Sequence, residues 1–251
     1  MMPAPARHAV SVLALALASS CSSACASIPQ GTAGADADAL ARKVEAWVGK
    51  DAWDKTGGVR FDFRGARSFL WDKKRDFVDV KKGDVEVLLD LWDHGGFVQR
   101  AGADVTGPER DKLLADAWGW FCNDTFWLNP LVKLFDAGTA RELVTLDGAR
   151  GLKVTYGAGG VTPGDTYVWL VDDDGRPRAV RMWVSVLPAK GLEFSWEGWV
   201  TLATGAKVAS KHVAAGLDVP LHDPAGALTV AELADGHEVF QRLVDRRART
   251  P

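Results

Sequence analysis

The stretch GDTYVWLVDDDGRPRAVRMWVSV, residues 164–186, predicts two long antiparallel strands joined by a turn at Asp174-Gly175. An Asp-Gly pair between alternating apolar residues is a strong hairpin signal, because both central residues of such a turn adopt positive φ. The strands on either side of the turn are long and rich in β-branched and aromatic residues. This hairpin therefore predicts an antiparallel sheet as the basis of the fold.

One face of the predicted hairpin is apolar. With the turn at that position, Trp169 lies opposite Val180. Tyr167 then lies opposite Met182, because side chains alternate between the two faces of a strand. The apolar face comprises Tyr167, Trp169, Val171, Val180, Met182 and Val184. The other face is mixed, so the rest of the chain is expected to cover the apolar side.

Further alternating segments predict strands along most of the chain. The segment VRFDF at 59–63 alternates strictly between apolar and charged residues, as a half-buried strand does. Strands are predicted at 59–64, 68–71, 76–80, 85–91, 97–100, 142–146, 152–156, 192–197, 198–202 and 207–212. Strands that follow one another in sequence are expected to pair. The segment 220–224, with a proline at each end, is predicted to be a loop.

Three segments have helical periodicity. Residues 36–50 form an amphipathic pattern, and residues 107–135 form a Trp- and Phe-rich helical insertion in the middle of the chain. A third helix is predicted at 229–245, where Thr229 and Glu232 have the spacing of a capping box. Helices therefore flank and interrupt the sheet.

These elements predict one α+β domain. A sheet of about ten antiparallel strands curls or closes, and its concave face has to be filled. We predict a curved antiparallel β-sheet, an open half-barrel of about ten strands, with helices packed on the concave face. The single domain spans 36–245 with the helical insertion near 107–135, and 246–251 is a basic tail.

The N-terminus has the features of an export signal. A short positive region precedes an apolar segment that is too short to span a bilayer, so 1–20 is predicted to be a signal peptide. Residues 17–21, LASSC, resemble a bacterial lipobox, which predicts lipidation at Cys21. The alternative is ordinary signal cleavage at 24–26. Residues 21–35 are small and polar, as in a flexible tether.

Composition excludes several functions. The chain has 251 residues and a net charge of −3, which gives no electrostatic footprint for nucleic acid. No Walker loop, Rossmann fingerprint or G-x-S-x-G motif occurs. The acidic run 172–174 is contiguous, which favours a turn over a calcium loop. Alternation along the strand explains Glu193 and Glu197 as residues of its solvent-exposed face, which is favoured over a catalytic pair of carboxylates. We therefore predict no cofactor, no metal and no enzymatic activity.

Two motifs extend these inferences by resemblance. The runs NDTFWLNP at 123–130 and GDTYVWLVD at 164–172 resemble a family of uncharacterised periplasmic and outer-membrane lipoproteins. The order of elements resembles the LolA/LolB-like lipoprotein-carrier superfamily, whose members are half-open barrels with helices over the concave face. The similarity covers roughly residues 47–212. It implies a fold that carries apolar cargo, and it assigns no chemistry to any residue.

The aromatic residues are the candidate binding site. The chain has eleven Trp and two Tyr, and a curved sheet with a helical cover can hold an acyl chain. The predicted lining residues are Phe61, Phe63, Trp71, Leu89, Trp118, Phe121, Trp127, Tyr167, Trp169, Met182, Phe194 and Trp196. The alternative is that these side chains only pack a core.

The expected function follows from these features. We expect a monomeric, non-catalytic lipoprotein of the bacterial cell envelope that binds a lipid or a lipid-modified molecule. Its expected location is the outer membrane, facing the periplasm, with a soluble periplasmic or secreted protein as the alternative. An envelope hydrolase with a polar site in the cavity, or a structural lipoprotein with a filled core, are the alternative functions.

Overall fold

The computed structural model describes residues 27–158, 161–185 and 190–249. The predicted signal peptide, Cys21 and the start of the tether lie outside these ranges. The helices are α1 (Ala35–Val48), α2 (Lys50–Lys55), α3 (Gly107–Leu128) and α4 (Gln241–Arg247), with 3-10 helices at Pro130–Lys133 and Ala231–Leu233. The strands are β1 (Gly58–Phe63), β2 (Arg67–Asp72), β3 (Phe77–Lys82), β4 (Val85–Asp90), β5 (Gly96–Arg100), β6 (Ala103–Asp104), β7 (Thr139–Leu146), β8 (Ala149–Tyr156), β9 (Thr166–Val171), β10 (Pro177–Trp183), β11 (Leu192–Ser195), β12 (Glu197–Thr201), β13 (Lys207–Ala214) and β14 (Leu217–Ala227).

Strands β9 and β10 form the predicted hairpin in the predicted register. Trp169 pairs with Val180, and Tyr167 pairs with Met182. The apolar face of the hairpin belongs to the main core. The opposite face packs with β7 in a smaller core that includes Val144. The alternation therefore predicted the apolar face correctly, whereas the face predicted to be mixed also buries Val168, Leu170 and Trp183 in a second core.

The turn of this hairpin differs from the prediction. Gly175 has a φ of 94°, whereas Asp174 does not have positive φ. The Gly175 N–H donates to the Asp172 carbonyl at 2.9 Å, as in a type I turn that ends in a left-handed glycine. The Asp174 carboxylate accepts hydrogen bonds from the Arg176 N–H at 3.0 Å and from Trp47 Nε1 at 3.2 Å. The acidic tip therefore contacts α1.

All strands pair antiparallel, in two sheets that share one segment of chain. The nine-stranded sheet has the order β12-β13-β14-β1-β2-β3-β4-β5-β6, and the five-stranded sheet has the order β11-β10-β9-β8-β7. Trp196 separates β11 from β12, and its backbone N–H donates to the Arg178 carbonyl of β10 at 2.8 Å. Residues 192–201 therefore belong first to the five-stranded sheet and then to the nine-stranded sheet.

One face of both sheets is covered by α1 and α3. We call this face the inner face, and the main core lies between it and these two helices. Asn129 and Pro130 end α3, and Asn129 Nδ2 donates to the Lys207 carbonyl at 3.1 Å. The predicted class is confirmed: an α+β fold with a large antiparallel sheet that does not close into a barrel. Among the described helices, none is long and apolar enough to cross a membrane.

The predicted loop at 220–224 is wrong, because this segment lies inside β14. Strand β14 lies between β13 and β1 in the large sheet and pairs with both. The pairing with β1 is irregular after Arg60, and Asp223 opposite this point has a φ of 48°. This bulge accommodates Pro224, which has no N–H to donate to the ladder.

The predicted helix at 229–245 is also wrong in its middle. Asp235 and Gly236 have φ values of 51° and 80°, which interrupt helical geometry. The segment crosses the outer face of the nine-stranded sheet, where the Phe240 ring lies 5.9 Å from the Phe77 ring. The apolar residues whose spacing suggested a single helix are instead buried by an irregular segment that packs on the sheet.

Candidate functional site

The structure brings the twelve predicted lining residues together on the inner face and on α3. Ten of them are buried, and Trp71 and Trp118 are half-buried. They come from β1, β2, β4, β9, β10, β11, the Trp196 position and α3. The inner face is filled by these side chains and those of α1 and α3. Whether the site opens to admit a ligand remains a prediction.

The first cluster lies where the end of α3 meets the five-stranded sheet. We call it the aromatic interior and define it by Phe126, Trp127, Trp169, Trp196 and His212. The Trp169 and Trp196 rings are 4.9 Å apart in an edge arrangement, and the Trp127 and Trp196 rings stack at 5.9 Å. The His212 ring lies 3.8 Å from the Trp196 ring. Ring pairs at these separations add to the stabilisation from burial.

A second cluster lies where the middle of α3 meets the nine-stranded sheet. The Trp71 and Phe121 rings are 5.1 Å apart, and Trp118 lies 6.3 Å from Phe121. The His94 ring stacks on Trp118 at 3.9 Å at the edge of this cluster. Helix α3 therefore contacts both sheets through aromatic side chains.

The aromatic interior contains polar atoms that have no partner. Within the described residues, Nε1 of Trp169, Nε1 of Trp196 and both ring nitrogens of His212 are buried without a hydrogen bond. Each buried group left unpaired costs about 1–3 kcal/mol. These nitrogens have no hydrogen-bond partner among the described residues, so each can bond to a group from outside the chain.

Burial decides the charge state of His212. The imidazole is fully buried, and burial lowers its pKa to about 3. Backbone carbonyls of Trp127, Ser195 and Ala209 lie near enough to oppose this shift, although none has hydrogen-bond geometry. The ring is therefore neutral at physiological pH, with one N–H donor and one acceptor nitrogen.

Sequence reasoning missed two members of the aromatic interior. Phe126 lies 4.6 Å from Tyr167, ring to ring. His212 shares a strand face with Val208, and both are fully buried. Alternation along β13 would have assigned His212 to the inner face, and this was the available signal.

A buried ion pair fixes α3 to β2. Asp124 on α3 is fully buried and accepts bonds from Nε and Nη2 of Arg67 at 2.6 and 3.1 Å. Burial raises the pKa of Asp124, and the Arg67 guanidinium opposes that rise. The side-chain amide of Asn123 also donates to Asp124 at 2.8 Å. This pair connects the helical cover to the sheet beside the two aromatic clusters.

A groove of about 550 Å³ lies on the outer face of the nine-stranded sheet. We call it the outer groove. Its floor is formed by β1 to β5, and its wall is the segment 234–242. The lining residues include Leu70, Asp79, Lys81, Glu86, Leu88, Phe97, His237, Val239 and Arg242. None of the twelve predicted residues lines this groove.

Asp79 on the floor of this groove makes stability depend on pH. Burial raises its pKa to about 6, with Glu86 adding to the rise and Lys81 opposing it. The folded protein therefore binds a proton more tightly than the unfolded chain, and stability falls as pH rises from about 4 to 6. We expect Asp79→Asn to raise the free energy of unfolding by about 1–3 kcal/mol at pH 8 and by little at pH 4.

Urea denaturation at both pH values tests this expectation. The matched control is Asp84→Asn, because Asp84 lies in the turn after β3 and its side chain is 57% exposed. The control should change stability little at either pH. Equal effects of the two substitutions at pH 8 would contradict the assignment of a raised pKa to Asp79.

The other polar candidates have structural partners. Glu193 accepts a bond from Arg181 at 2.7 Å, and Glu197 pairs across the sheet with Lys211. Among the described residues Cys122 has no disulfide partner, and burial raises the pKa of its thiol to about 12, which makes it a poor nucleophile. In the described part of the chain, no three His, Cys, Asp or Glu side chains converge on a common point.

The sequence matches no family model and no curated protein. Among solved structures, the fold is similar to the crystal structure of a DUF1329 family protein from Desulfovibrio piger. The two chains are 10% identical with a TM-score of 0.36, and the similarity covers 76% of this chain and 92% of that chain. This likeness is distant, so the resemblance to the LolA/LolB-like superfamily stays a prediction.

Proposed function

We propose that this protein is a non-catalytic lipoprotein of the bacterial cell envelope that binds an apolar molecule beneath α3. The ligand is a lipid or a lipid-modified partner. The protein acts as a monomer, anchored through Cys21 in the outer membrane and facing the periplasm. The unpaired nitrogens of Trp169, Trp196 and His212 carry this proposal, since a ligand with an oxygen acceptor would satisfy donors that the protein leaves unpaired.

The surroundings of these nitrogens favour an acyl ligand. Every ring of the aromatic interior except Phe126 is buried, so a bound chain would contact aromatic carbon on several sides. Burial of apolar area contributes about 25 cal/mol per Å² to binding. An ester or carboxyl oxygen of the ligand would accept the indole N–H bonds. Because side chains of α3 fill the interior, the ligand enters only when the C-terminal half of α3 moves away from the sheet.

Displacement of a fluorescent fatty acid tests this function directly. Trp169→Phe removes the indole N–H donor and keeps an aromatic ring. The affinity for the fatty acid should fall about tenfold, which is the expected effect of losing one hydrogen bond. Trp92→Phe is the matched control, because Trp92 is 85% exposed and lies outside the aromatic interior. Equal affinities of the two variants would contradict the proposed site.

Native mass spectrometry of the full-length protein purified from its own membrane tests the ligand class. We expect a co-purifying lipid. The absence of any lipid, together with no binding of the fluorescent fatty acid, would leave a structural protein with a filled core.

Cys21→Ala should move the protein from the membrane fraction to the soluble fraction. A wild-type protein that is already soluble would contradict the lipid anchor.

A further inference from the structure

The outer groove contains a buried carboxylate with an acceptor that no protein group uses. Asp79 is 5% exposed and lies on the groove floor in β3. Among the described residues, no donor reaches its Oδ1 atom, and Lys81 Nζ lies 3.4 Å from its Oδ2. A buried carboxylate with an unpaired oxygen is costly, so this one is expected to have a partner outside the chain.

Lys81 can give up its place beside this carboxylate. Its side chain is 54% exposed, and it also lies 3.1 Å from Glu86 on the neighbouring strand. A long exposed lysine holds its partners weakly, because the pair is screened and the side chain loses entropy. A cation from a ligand that replaced Lys81 would meet both carboxylates, Asp79 and Glu86.

The other cations at the groove are already paired. Arg242 makes two bonds to Asp104, at 3.0 and 2.9 Å, and Arg60 donates to the Leu233 carbonyl at 3.2 Å. Arg60 keeps its positive charge, because its partner is a neutral carbonyl, and Asp235 adds a further carboxylate to the lining. Once Lys81 moves, the charges nearest to its place are those of Asp79 and Glu86, which attract a cation and repel an anion.

Apolar side chains continue from this charged point along the groove. Leu70, Leu88 and Phe97 project from the outer face of the sheet, and Val239 projects from the opposite wall. All four are half-buried, so each keeps apolar surface that a ligand could cover. The volume of about 550 Å³ is within the range of small-molecule sites.

We propose that the outer groove binds a primary ammonium group attached to a short apolar chain. The ammonium donates to the Asp79 carboxylate and to the Glu86 carboxylate in place of Lys81. The chain lies against Leu70, Leu88 and Val239. This site is separate from the aromatic interior, so it does not depend on the function proposed for that interior.

Calorimetry with three probes of equal length tests the proposal at pH 7.5. n-Octylammonium should bind with an affinity that Asp79→Asn weakens, and 1-octanol should bind the groove about tenfold more weakly or not at all. Any binding of octanoate belongs to the aromatic interior and should not be weakened by Asp79→Asn. Octanoate or octanol binding that Asp79→Asn weakens as much as it weakens octylammonium binding would overturn the proposal. So would the failure of octylammonium to bind the full-length protein.

Variants assign the binding to the groove. Asp79→Asn should weaken octylammonium binding about tenfold or more, because it removes the charge of the acceptor. Asp84→Asn should leave the binding unchanged, since Asp84 does not line the groove. Loss of binding in both variants, or in neither, would overturn the site. Trp169→Phe should leave octylammonium binding intact, which separates this result from a failure of the interior site.

Discussion

Replacing Asp124 with alanine is expected to lower the free energy of unfolding by about 3–5 kcal/mol. The Asp124 side chain is fully buried, and the side chain of its partner Arg67 is only 17% exposed. Truncation leaves the Arg67 guanidinium without a counter-ion at a position that water reaches poorly. Since this pair joins α3 to β2, its loss should also loosen the helix over the aromatic clusters.

A second carboxylate on the same helix provides the control. Asp116 is 33% exposed and pairs with Lys112 one turn earlier, so Asp116→Ala should cost about 0–1 kcal/mol. Urea denaturation followed by circular dichroism measures both variants. The double variant Arg67→Met with Asp124→Leu should recover most of the loss, because neither charge then remains buried. A single Asp124→Ala variant as stable as Asp116→Ala would show that the pair does not hold α3.

Replacing Trp169 with alanine is expected to lower the free energy of unfolding by about 3–5 kcal/mol. Trp169 is fully buried at the centre of the aromatic interior, where its ring meets Trp196 at 4.9 Å and Phe126 at 6.5 Å. The substitution removes a large apolar surface and leaves a cavity that the surrounding rigid strands cannot close.

Two other substitutions separate the contributions of the Trp169 side chain. Trp169→Phe should lose much less stability than Trp169→Ala, because it keeps most of the ring and removes an N–H that has no partner. Trp92→Ala should change stability by less than about 0.5 kcal/mol, since Trp92 is 85% exposed. Thermal and urea denaturation of the three variants measure this order. A Trp169→Phe variant as unstable as Trp169→Ala would show that the N–H has a stabilising partner.

Local patterns explain why the sequence predicted the strands well. Alternation of period two and Asp-Gly turns act over a few residues, so the register of β9 with β10 and the meander from β1 to β5 follow from neighbouring residues alone. Strand β14 was missed because proline usually breaks a ladder, and only its pairing with β1 shows the bulge that accommodates Pro224.

The C-terminal segment shows where local signals compete. Leu233, Phe240 and Leu243 have spacings that suit a helix, yet Asp235-Gly236 is a turn signal within the same stretch. The structure follows the turn signal, and the apolar residues pack on the outer face of the sheet. Periodicity reports which residues become buried, but the surface that buries them is set by the rest of the fold.

The sequence by itself determined the antiparallel sheet, its apolar inner face and the helix that covers it, because alternation, turn residues and helical periodicity are local properties. Only the tertiary structure decided which polar groups lose water. Arg67 meets Asp124 across 57 residues of sequence, and the Asp79 carboxylate lies on the floor of a groove whose wall comes from the other end of the chain. The unpaired nitrogen of Trp169 is likewise a product of packing. Desolvation depends on every neighbour in space, so no short stretch of sequence encodes it.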